Sequence, residues 1–261
     1  MDIGVCVKRV PMVGGRIAVT PDGQDVDTRM SGFTVSPHEE CAVEEAVQII
    51  ERLSSKGLGG SVTVLTLGPA EAAEQLRDML ALGAGHALLL ETDGREWGAI
   101  ATAEAIADVA RRRAEGPDGP YDLLLFGNEA ADTGDYQVGV RVAHALGLPC
   151  VTGVKNLEIS SGGARARREY RGSEEVFDIP LPAVISVKEG INLPRYPSLP
   201  GRLRAKRAAI DTVVPQWHSE GLRKEGLRVP AQAQRGAQVL GSGAAAVPAL
   251  VALFEELGVW P

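Results

Sequence analysis

The chain has 261 residues and a formal net charge of −7, an acidic balance that argues against a nucleic-acid partner. No apolar run approaches the ~18 residues that span a membrane, and the amino terminus lacks a signal-peptide pattern, so we expect a cytoplasmic protein without membrane insertion. The three cysteines and four histidines are scattered, and no spacing among them indicates a metal site or a disulfide framework.

The first 150 residues alternate between predicted strands and predicted helices. Ser36 is a candidate N-cap of the first helix, with Pro37 at the first helical position and Glu39 at the capping-box position. The alternation predicts a parallel sheet with right-handed crossovers. The predicted elements are strand 2–8, a β-hairpin with arms 16–19 and 25–28, a helix over about 37–56, strand 61–67, a helix to about 82, strand 86–91, a helix over about 97–114, strand 121–126 and a helix to about 146.

The pattern changes after Pro149. Short antiparallel strands with glycine-rich turns are expected there, and one of them could rejoin the main sheet. Leu199–Arg207 is predicted to form a short basic helix. The predicted strands are 154–159, 164–170, 174–179 and 183–187.

The C-terminal part has a different composition. Residues 212–246 are rich in Pro, Gly, Gln and Ala without a clear period, whereas residues 247–257 have the pattern of an amphipathic helix. A long irregular segment is unusual inside a compact domain. We therefore expect one α/β domain over residues 1–211, followed over residues 212–261 by an arm and a helix that pack on a partner subunit.

Four segments are expected at the carboxyl edge of the predicted sheet, where open parallel sheets bind ligands. They are Cys6–Val10, Ser36–Glu39, Leu67–Pro69 and Gly127–Gly139. The last of these joins a buried strand to a helix and carries glycines and side-chain donors. The N-terminus of that helix is a candidate phosphate cradle, and an ordinary polar loop with an N-cap is the alternative interpretation.

The residues alone do not indicate an enzyme. Asp132 and Asp135 could be catalytic carboxylates, but helix capping and loop hydrogen bonds are the simpler interpretation. The sequence contains neither a Ser-His-Asp nor a Cys-His arrangement that can be recognised, and no phosphate-loop or dinucleotide motif matches.

Four motifs, in this order, resemble electron-transfer flavoprotein β subunits. They are Val5–Val10, Ser36–Ala46, Gly127–Gly139 and Val187–Arg207, the last containing INLPRYPSLPG. Family members typically show VKRV, a helix start containing AVEEA, a GxQAIDxDxxQxG loop, and LNEPRY followed by a basic helix. Because the match runs in order from residue 2 to about 210, the chain is identified as a member of this family.

The resemblance implies a doubly wound, mostly parallel α/β sheet of the adenine-nucleotide α-hydrolase type, with a small antiparallel extension and a C-terminal arm. It implies a heterodimer in which the α subunit holds the redox-active FAD and this chain holds a structural AMP. Electrons would pass from a flavin dehydrogenase to that FAD and then to a quinone-linked oxidoreductase, so this chain alone is not an enzyme. The implied AMP contacts are Cys6, Ser36, Pro37, His38, Glu39, Leu67, Gly127, Asn128, Glu129, Ala130, Ala131, Asp132, Thr133, Gly134, Asp135, Tyr136, Gln137 and Val138.

The resemblance also implies a recognition loop, about residues 187–209, that docks onto flavin dehydrogenases. Leu199 matches the family's protruding anchor leucine, which would fill a pocket while the cations around it steer an acidic partner. Without the resemblance, a solvated helix face is the simpler interpretation of the basic run. The implied docking residues are Leu199, Arg195, Tyr196, Arg202, Arg204 and Arg207.

Several positions depart from the family pattern. Ser36 stands where Asn is usual, and His38 where Phe is usual. Tyr136 and Val138 stand where members that do not bifurcate electrons often have Asn and Thr. One alternative is therefore a bifurcating β subunit, which binds a second FAD in place of AMP and oxidises NADH.

A further alternative belongs to another class, a free-standing enzyme that uses ATP to adenylate a substrate. Such an enzyme needs a pyrophosphate loop directly after the first strand. This sequence has Lys8-Arg9-Val10-Pro11 at that point, which argues against the alternative.

Overall fold

The computed structural model describes residues 1–12, 14, 17–160, 162–219, 221, 224–230 and 238–259. They belong to two compact units, Met1–Leu227 and Arg228–Pro261. In chain order the elements are β1 (Asp2–Cys6), β2 (Val10–Pro11), β3 (Phe33–Thr34), α1 (Pro37–Ser54), β4 (Ser61–Gly68), a 3-10 turn (Ala70–Ala72), α2 (Ala73–Leu82), β5 (His86–Glu91), α3 (Ala99–Glu115), β6 (Leu123–Gly127), α4 (Val138–Leu146), β7 (Cys150–Val154), β8 (Asn156–Ser160), β9 (Gly163–Tyr170), β10 (Ser173–Ile179), β11 (Ala183–Val187), α5 (Leu199–Arg207), β12 (Asp211–Val213), a 3-10 turn (Gly243–Ala246) and α6 (Val247–Glu256).

A seven-stranded sheet in the order β12-β5-β4-β1-β6-β11-β7 forms the centre of the first unit. All neighbouring strands in it are parallel. The chain passes from β1 outward to β4 and β5, and then returns to β6 on the other side of β1. The prediction of a doubly wound parallel α/β sheet is confirmed. The reversal between β1 and β6 is where such sheets bind ligands.

Helices cover both faces of this sheet, each over its own apolar core. The first core joins the sheet to α1 and α2, and the second joins it to α3 and α4. Successive side chains of a strand point to opposite faces. Ile3 and Val5 of β1 accordingly belong to the first core, whereas Cys6 belongs to the second.

A separate antiparallel sheet, β10-β9-β8, forms the predicted extension. Its register pairs Ala164 with both Ile159 and Ile179. The single strand predicted over 154–159 is wrong, because the structure has two strands there, β7 ending at Val154 and β8 beginning at Asn156, with Lys155 between them. The residues before it form β7, which joins the main sheet in parallel with β11.

Three further regions refine the prediction. The strand predicted over 183–187 rejoins the main sheet as β11, as the sequence allowed, and its fully buried pattern suits a central position. The sequence did not predict β12, which pairs with β5 at the sheet edge. The expected hairpin is reduced to one antiparallel bridge between Val19 and Val26, and Arg16 lies outside the described residues.

The second unit contains the predicted final helix, α6. In the described residues of this unit before α6, which are 228–230 and 238–246, the regular structure is limited to the short 3-10 turn Gly243–Ala246. Throughout the described part of the chain, no helix combines the length and the apolar character that crossing a membrane requires.

Candidate functional site

A cavity of about 270 Å³ opens at the carboxyl edge of the sheet, where the strand order reverses. The ends of β1, β4 and β6 form its floor, and the loop before α4 forms one wall. The predicted site residues that line the cavity are Cys6, Glu39, Leu67, Gly127, Asn128, Glu129, Ala130, Asp135, Tyr136, Gln137 and Val138.

The other predicted site residues do not line the cavity, and several of them hold residues that do. Asp132 accepts a 2.8 Å hydrogen bond from Lys8 Nζ, and Lys8 borders the cavity. Ser36 donates to the Glu39 carboxylate from its backbone N–H at 3.2 Å and from its hydroxyl at 3.0 Å. The predicted residues outside the lining are Ser36, Pro37, His38, Ala131, Asp132, Thr133 and Gly134.

His38 links the cavity wall to the recognition loop. Its Nδ1 accepts a 3.0 Å hydrogen bond from the backbone N–H of Glu189. Its Nε2 lies 3.3 Å from a carboxylate oxygen of Glu129, which lines the cavity. His38 therefore makes polar contacts in two directions.

The sequence prediction missed the opposite wall, which is formed by the loop between β5 and α3. A usable signal was present, because this loop also follows a predicted strand and must therefore lie at the carboxyl edge. Five further lining residues lie in the segments expected at this edge but were not among the implied AMP contacts: Val7, Lys8, Gly68, Pro69 and Gly139. The lining residues outside every expected segment are Leu65, Thr66, Thr92, Arg95, Trp97, Gly98, Ala99, Thr102, Ile106, Phe126 and Ser186.

The N-terminus of α4 contributes backbone donors to the cavity. Its N-cap residue, Gln137, makes no capping hydrogen bond through its side chain, because its amide oxygen accepts from the Arg141 guanidinium at 3.1 and 2.7 Å. Gln137, Val138 and Gly139 all line the cavity. Backbone N–H groups at such a helix start bind anions, since the helix dipole has its positive end there.

Gly127 brings the cavity floor against the first turn of α1. A Cβ on this residue would lie 2.6 Å from Glu39 Cγ, and 3.2 Å from both the Glu39 backbone nitrogen and His38 Cβ. A contact below 3 Å cannot persist without a shift, and the Glu39 side chain that would have to shift is buried. The close approach thus depends on the missing side chain.

Replacing Gly127 with alanine is expected to lower the free energy of unfolding by about 1–3 kcal/mol, the usual cost of overpacking a tight site. Gly59→Ala is the matched control, because a Cβ there meets nothing within 4 Å. Urea denaturation of both variants measures the difference. Equal midpoints for the two would contradict the close packing of Gly127 on α1.

Burial dominates the electrostatics of the cavity floor. Desolvation raises the pKa of Glu39 to about 7, although the hydrogen bonds from Ser36 and the nearby Lys8 act in the opposite direction. Desolvation and the Glu39 charge also raise the pKa of the Cys6 thiol well above its usual range. Cys6 is therefore a neutral thiol that packs against the cavity, not a nucleophile.

The recognition loop is fastened to α1. Asn192 Nδ2 donates to the Cys41 carbonyl and to Glu45 Oε2, both at 3.0 Å. The Arg195 guanidinium binds Glu44 at 2.9 and 3.0 Å and Glu51 at 2.7 and 2.9 Å. Arg195, which was predicted to contact a partner, is thus engaged within the chain.

Beyond Arg195, the recognition loop presents an exposed surface. Leu199 at the start of α5 is 72% exposed, and Tyr196 is 85% exposed with Arg202 stacked 5.1 Å from its ring. Arg204 and Arg207 are exposed on the same helix. An apolar side chain surrounded by cations is therefore available at this surface.

Metal ligands are not grouped in the described part of the chain: no three His, Cys, Asp or Glu side chains converge there on a possible metal position.

Comparison with known proteins gives the same family for most of the chain. The sequence model of the electron transfer flavoprotein domain matches residues 26–216. The chain is 36% identical to the electron transfer flavoprotein subunit beta of Bacillus subtilis over 181 residues, 69% of this chain and 66% of that protein. The proteins of the same name from Mycobacterium tuberculosis H37Rv and Syntrophomonas wolfei are each 36% identical over 210 and 211 residues, 80% of this chain and 77% of theirs. The chain therefore belongs to the electron transfer flavoprotein β-subunit family.

Proposed function

We propose that the chain binds AMP in the cavity at the carboxyl edge and works in a heterodimer whose α subunit carries FAD. The observation that supports this most directly is the cavity itself, which combines an α4 N-terminus without a side-chain cap with an apolar interior. Bound FAD supplies the electron exchange. This chain supplies a structural nucleotide site and a docking surface, so it acts as an electron-carrier subunit and not as an enzyme.

The cavity suits a mononucleotide. Its volume of about 270 Å³ lies just below the range of ordinary ligand pockets, ~300–1,000 Å³, as a small ligand requires. The phosphate would take the backbone N–H groups at the start of α4, with Lys8 as a nearby cation held by Asp132. One ligand of this kind would pair its phosphate with the positive partial charge at the start of α4 and place its apolar part against the apolar walls.

The nucleotide content of the purified heterodimer tests the proposal. The chain is co-purified with its α subunit, denatured, and the released nucleotides are counted by chromatography. One AMP and one FAD per heterodimer are expected. Absence of AMP from a heterodimer that retains full FAD would contradict the AMP site.

The bifurcating form is the second candidate, because Tyr136 and Val138 line the cavity and stand where members that do not bifurcate electrons often have Asn and Thr. In that case the chain would bind a second FAD and oxidise NADH. The same chromatographic count distinguishes the two candidates, since the bifurcating form requires two FAD and no AMP per heterodimer.

We further propose that the recognition loop docks onto flavin dehydrogenases and that residues 212–261 pack on the α subunit. Leu199 would be the anchor, because it is exposed and apolar at the start of the basic helix α5. The reduced α-subunit FAD would then pass its electrons to a quinone-linked oxidoreductase.

Leu199→Ala is expected to slow electron transfer from a flavin dehydrogenase about tenfold or more, the effect of removing an anchor from the centre of an interface. Flavin content and stability stay unchanged, since the side chain is mostly exposed. Leu193→Ala is the matched control, because Leu193 is 88% exposed in the same loop. Stopped-flow flavin reduction measures both variants, and equal rates for them would contradict the anchor role.

A further inference from the structure

The wall loop, residues 92–98, runs between β5 and α3 in an irregular conformation and forms one wall of the cavity. Two of its side chains, Arg95 and Trp97, line the cavity, and Glu96 lies between them in the sequence. Loops of this kind open more readily than the strands and helices around them. Whatever holds Glu96 therefore helps to fix this wall of the cavity.

Residues from the start of the C-terminal arm hold the wall loop at Glu96. The indole N–H of Trp217 donates to the Glu96 backbone carbonyl at 3.0 Å. The backbone N–H of Lys224 donates to the Glu96 carboxylate at 3.2 Å. The Arg95 guanidinium lies 5.4 Å from the centre of the Trp217 ring, within the range of a cation–π contact. Main-chain and side-chain atoms of the wall loop are thus both held by a segment more than 120 positions later in the chain.

The same arm segment is fastened on its other side to the tip of the N-terminal hairpin. Lys224 Nζ donates to the Asp25 carboxylate at 2.9 Å. The backbone N–H of Leu227 donates to the carbonyl oxygen of Gly23 at 2.6 Å. We call Trp217, Lys224 and Leu227 the clasp. Because its contacts lie on two separate loops of the first unit, the clasp holds the wall loop from a second fixed point.

We propose that the clasp holds the wall loop in place and thereby slows release of the bound nucleotide. The contacts at Glu96 fix the part of the loop from which Arg95 and Trp97 line the cavity. A ligand leaves faster when one wall of its cavity opens more often. The inference rests on the proposed AMP-binding function and adds a control of nucleotide exchange to it. That control lies in the C-terminal arm, just before the chain enters the second unit at Arg228.

Two substitutions each remove one contact between the clasp and Glu96. Trp217→Phe keeps an aromatic ring but lacks the indole N–H, and Glu96→Ala lacks the carboxylate that accepts from Lys224. Glu96→Gln is the matched control for the second substitution, because it removes the same charge and keeps an oxygen that accepts. His218→Ala is the control for the first, since His218 is the exposed neighbour of Trp217 in the sequence.

The experiment measures release of AMP and opening of the wall loop in the heterodimer. Each heterodimer is loaded with radiolabelled AMP and mixed with an excess of unlabelled AMP, and the label that stays bound is followed by filtration. Hydrogen exchange of peptides that cover residues 93–97 is measured on the same AMP-bound proteins, with peptides from β9 as the internal reference. The FAD content shows that each heterodimer is intact.

Trp217→Phe and Glu96→Ala are each expected to release AMP about fivefold faster than the wild type, the effect of losing one hydrogen bond. Hydrogen exchange over residues 93–97 becomes faster in both variants, whereas exchange in β9 and the FAD content stay unchanged. The release rates of Glu96→Gln and His218→Ala stay within about twofold of the wild-type rate, as is usual for surface substitutions.

Three results would overturn the role of the clasp. One is a wild-type release rate in both Trp217→Phe and Glu96→Ala, and another is faster release without faster hydrogen exchange in the wall loop. The third is equally fast release from Glu96→Gln and Glu96→Ala, because the effect would then belong to the lost charge. A wild-type heterodimer that retains no labelled AMP refutes the proposed AMP site itself, and that result is visible before any variant is compared.

Discussion

Arg195→Ala is expected to lower the free energy of unfolding by about 3 kcal/mol, because it leaves Glu44 charged and buried without its partner. Glu44 is only 2% exposed and also accepts the backbone N–H of Arg195 at 3.1 Å. Desolvation raises the pKa of Glu44, but the hydrogen bonds from Arg195 outweigh it, and the net pKa is lowered. The hydrogen bond from Gln48 to Glu44 at 2.7 Å remains in the variant, so the guanidinium is the cationic partner that the buried carboxylate loses.

Two controls separate this effect from ordinary loss of a surface charge. Arg204→Ala removes an exposed arginine from α5, and a change within about 0.5 kcal/mol is expected. Glu51→Ala removes the more exposed partner of Arg195, and its effect should stay below about 1 kcal/mol. Urea denaturation of the three variants gives the comparison. A wild-type midpoint for Arg195→Ala would show that the contact between the recognition loop and α1 does not contribute to stability.

Glu39 is expected to make the protein less stable as the pH rises from about 4.5 to about 7. Its pKa is raised from 4.5 to about 7 in the folded chain, so the folded state binds a proton more tightly than the unfolded state does. The stabilisation is complete below the lower value and is lost as the pH passes the higher one. The shift corresponds to roughly 3 kcal/mol, since each pKa unit is about 1.4 kcal/mol.

Glu39→Gln removes this dependence while keeping an oxygen that accepts from Ser36. The free energy of unfolding of the variant minus that of the wild type should therefore increase from pH 5 to pH 8, by a large part of the roughly 3 kcal/mol given above. Glu104→Gln, which removes one exposed carboxylate from α3, corrects for the loss of charge. Urea denaturation at pH 5, 6, 7 and 8 measures the difference. A constant difference between Glu39→Gln and the wild type over this range would contradict the buried, protonatable carboxyl.

The elements that follow from local chemistry were predicted well. The Ser36 and Glu39 capping box places the start of α1, and strand 86–91 and helix 199–207 have the observed bounds. The parallel strand β7 was missed because Pro149 and Gly153 break the apolar pattern that marks a buried strand. Its place in the sheet depends on pairing with β11, more than thirty residues later in the chain.

The part of the candidate site that lies in sequence motifs was predicted, and the part outside them was not. The loop Gly127–Gly139 carries a family pattern, whereas Thr66 and Trp97 belong to no motif and were not predicted. Arg195 illustrates the same limit for the recognition loop. Its basic character suggested a partner, but its actual partners are Glu44 and Glu51, which lie more than 140 positions away in the sequence. Contacts between distant segments cannot be read from local patterns.

The recognition loop is attached to the sheet at both ends, which limits how far it can move. The loop leaves the sheet at β11 and returns to it at β12, which lie five inter-strand spacings apart, roughly 24 Å. Between these ends it is fastened to α1, and Arg77 on α2 donates to the carbonyl oxygens of Ala205 and Ala208 at 2.8 and 3.1 Å. A recognition loop held in this way has already lost much of its conformational entropy on folding. The docking proposed for this loop would therefore order little additional chain, and the binding free energy would come from the side chains that the loop presents.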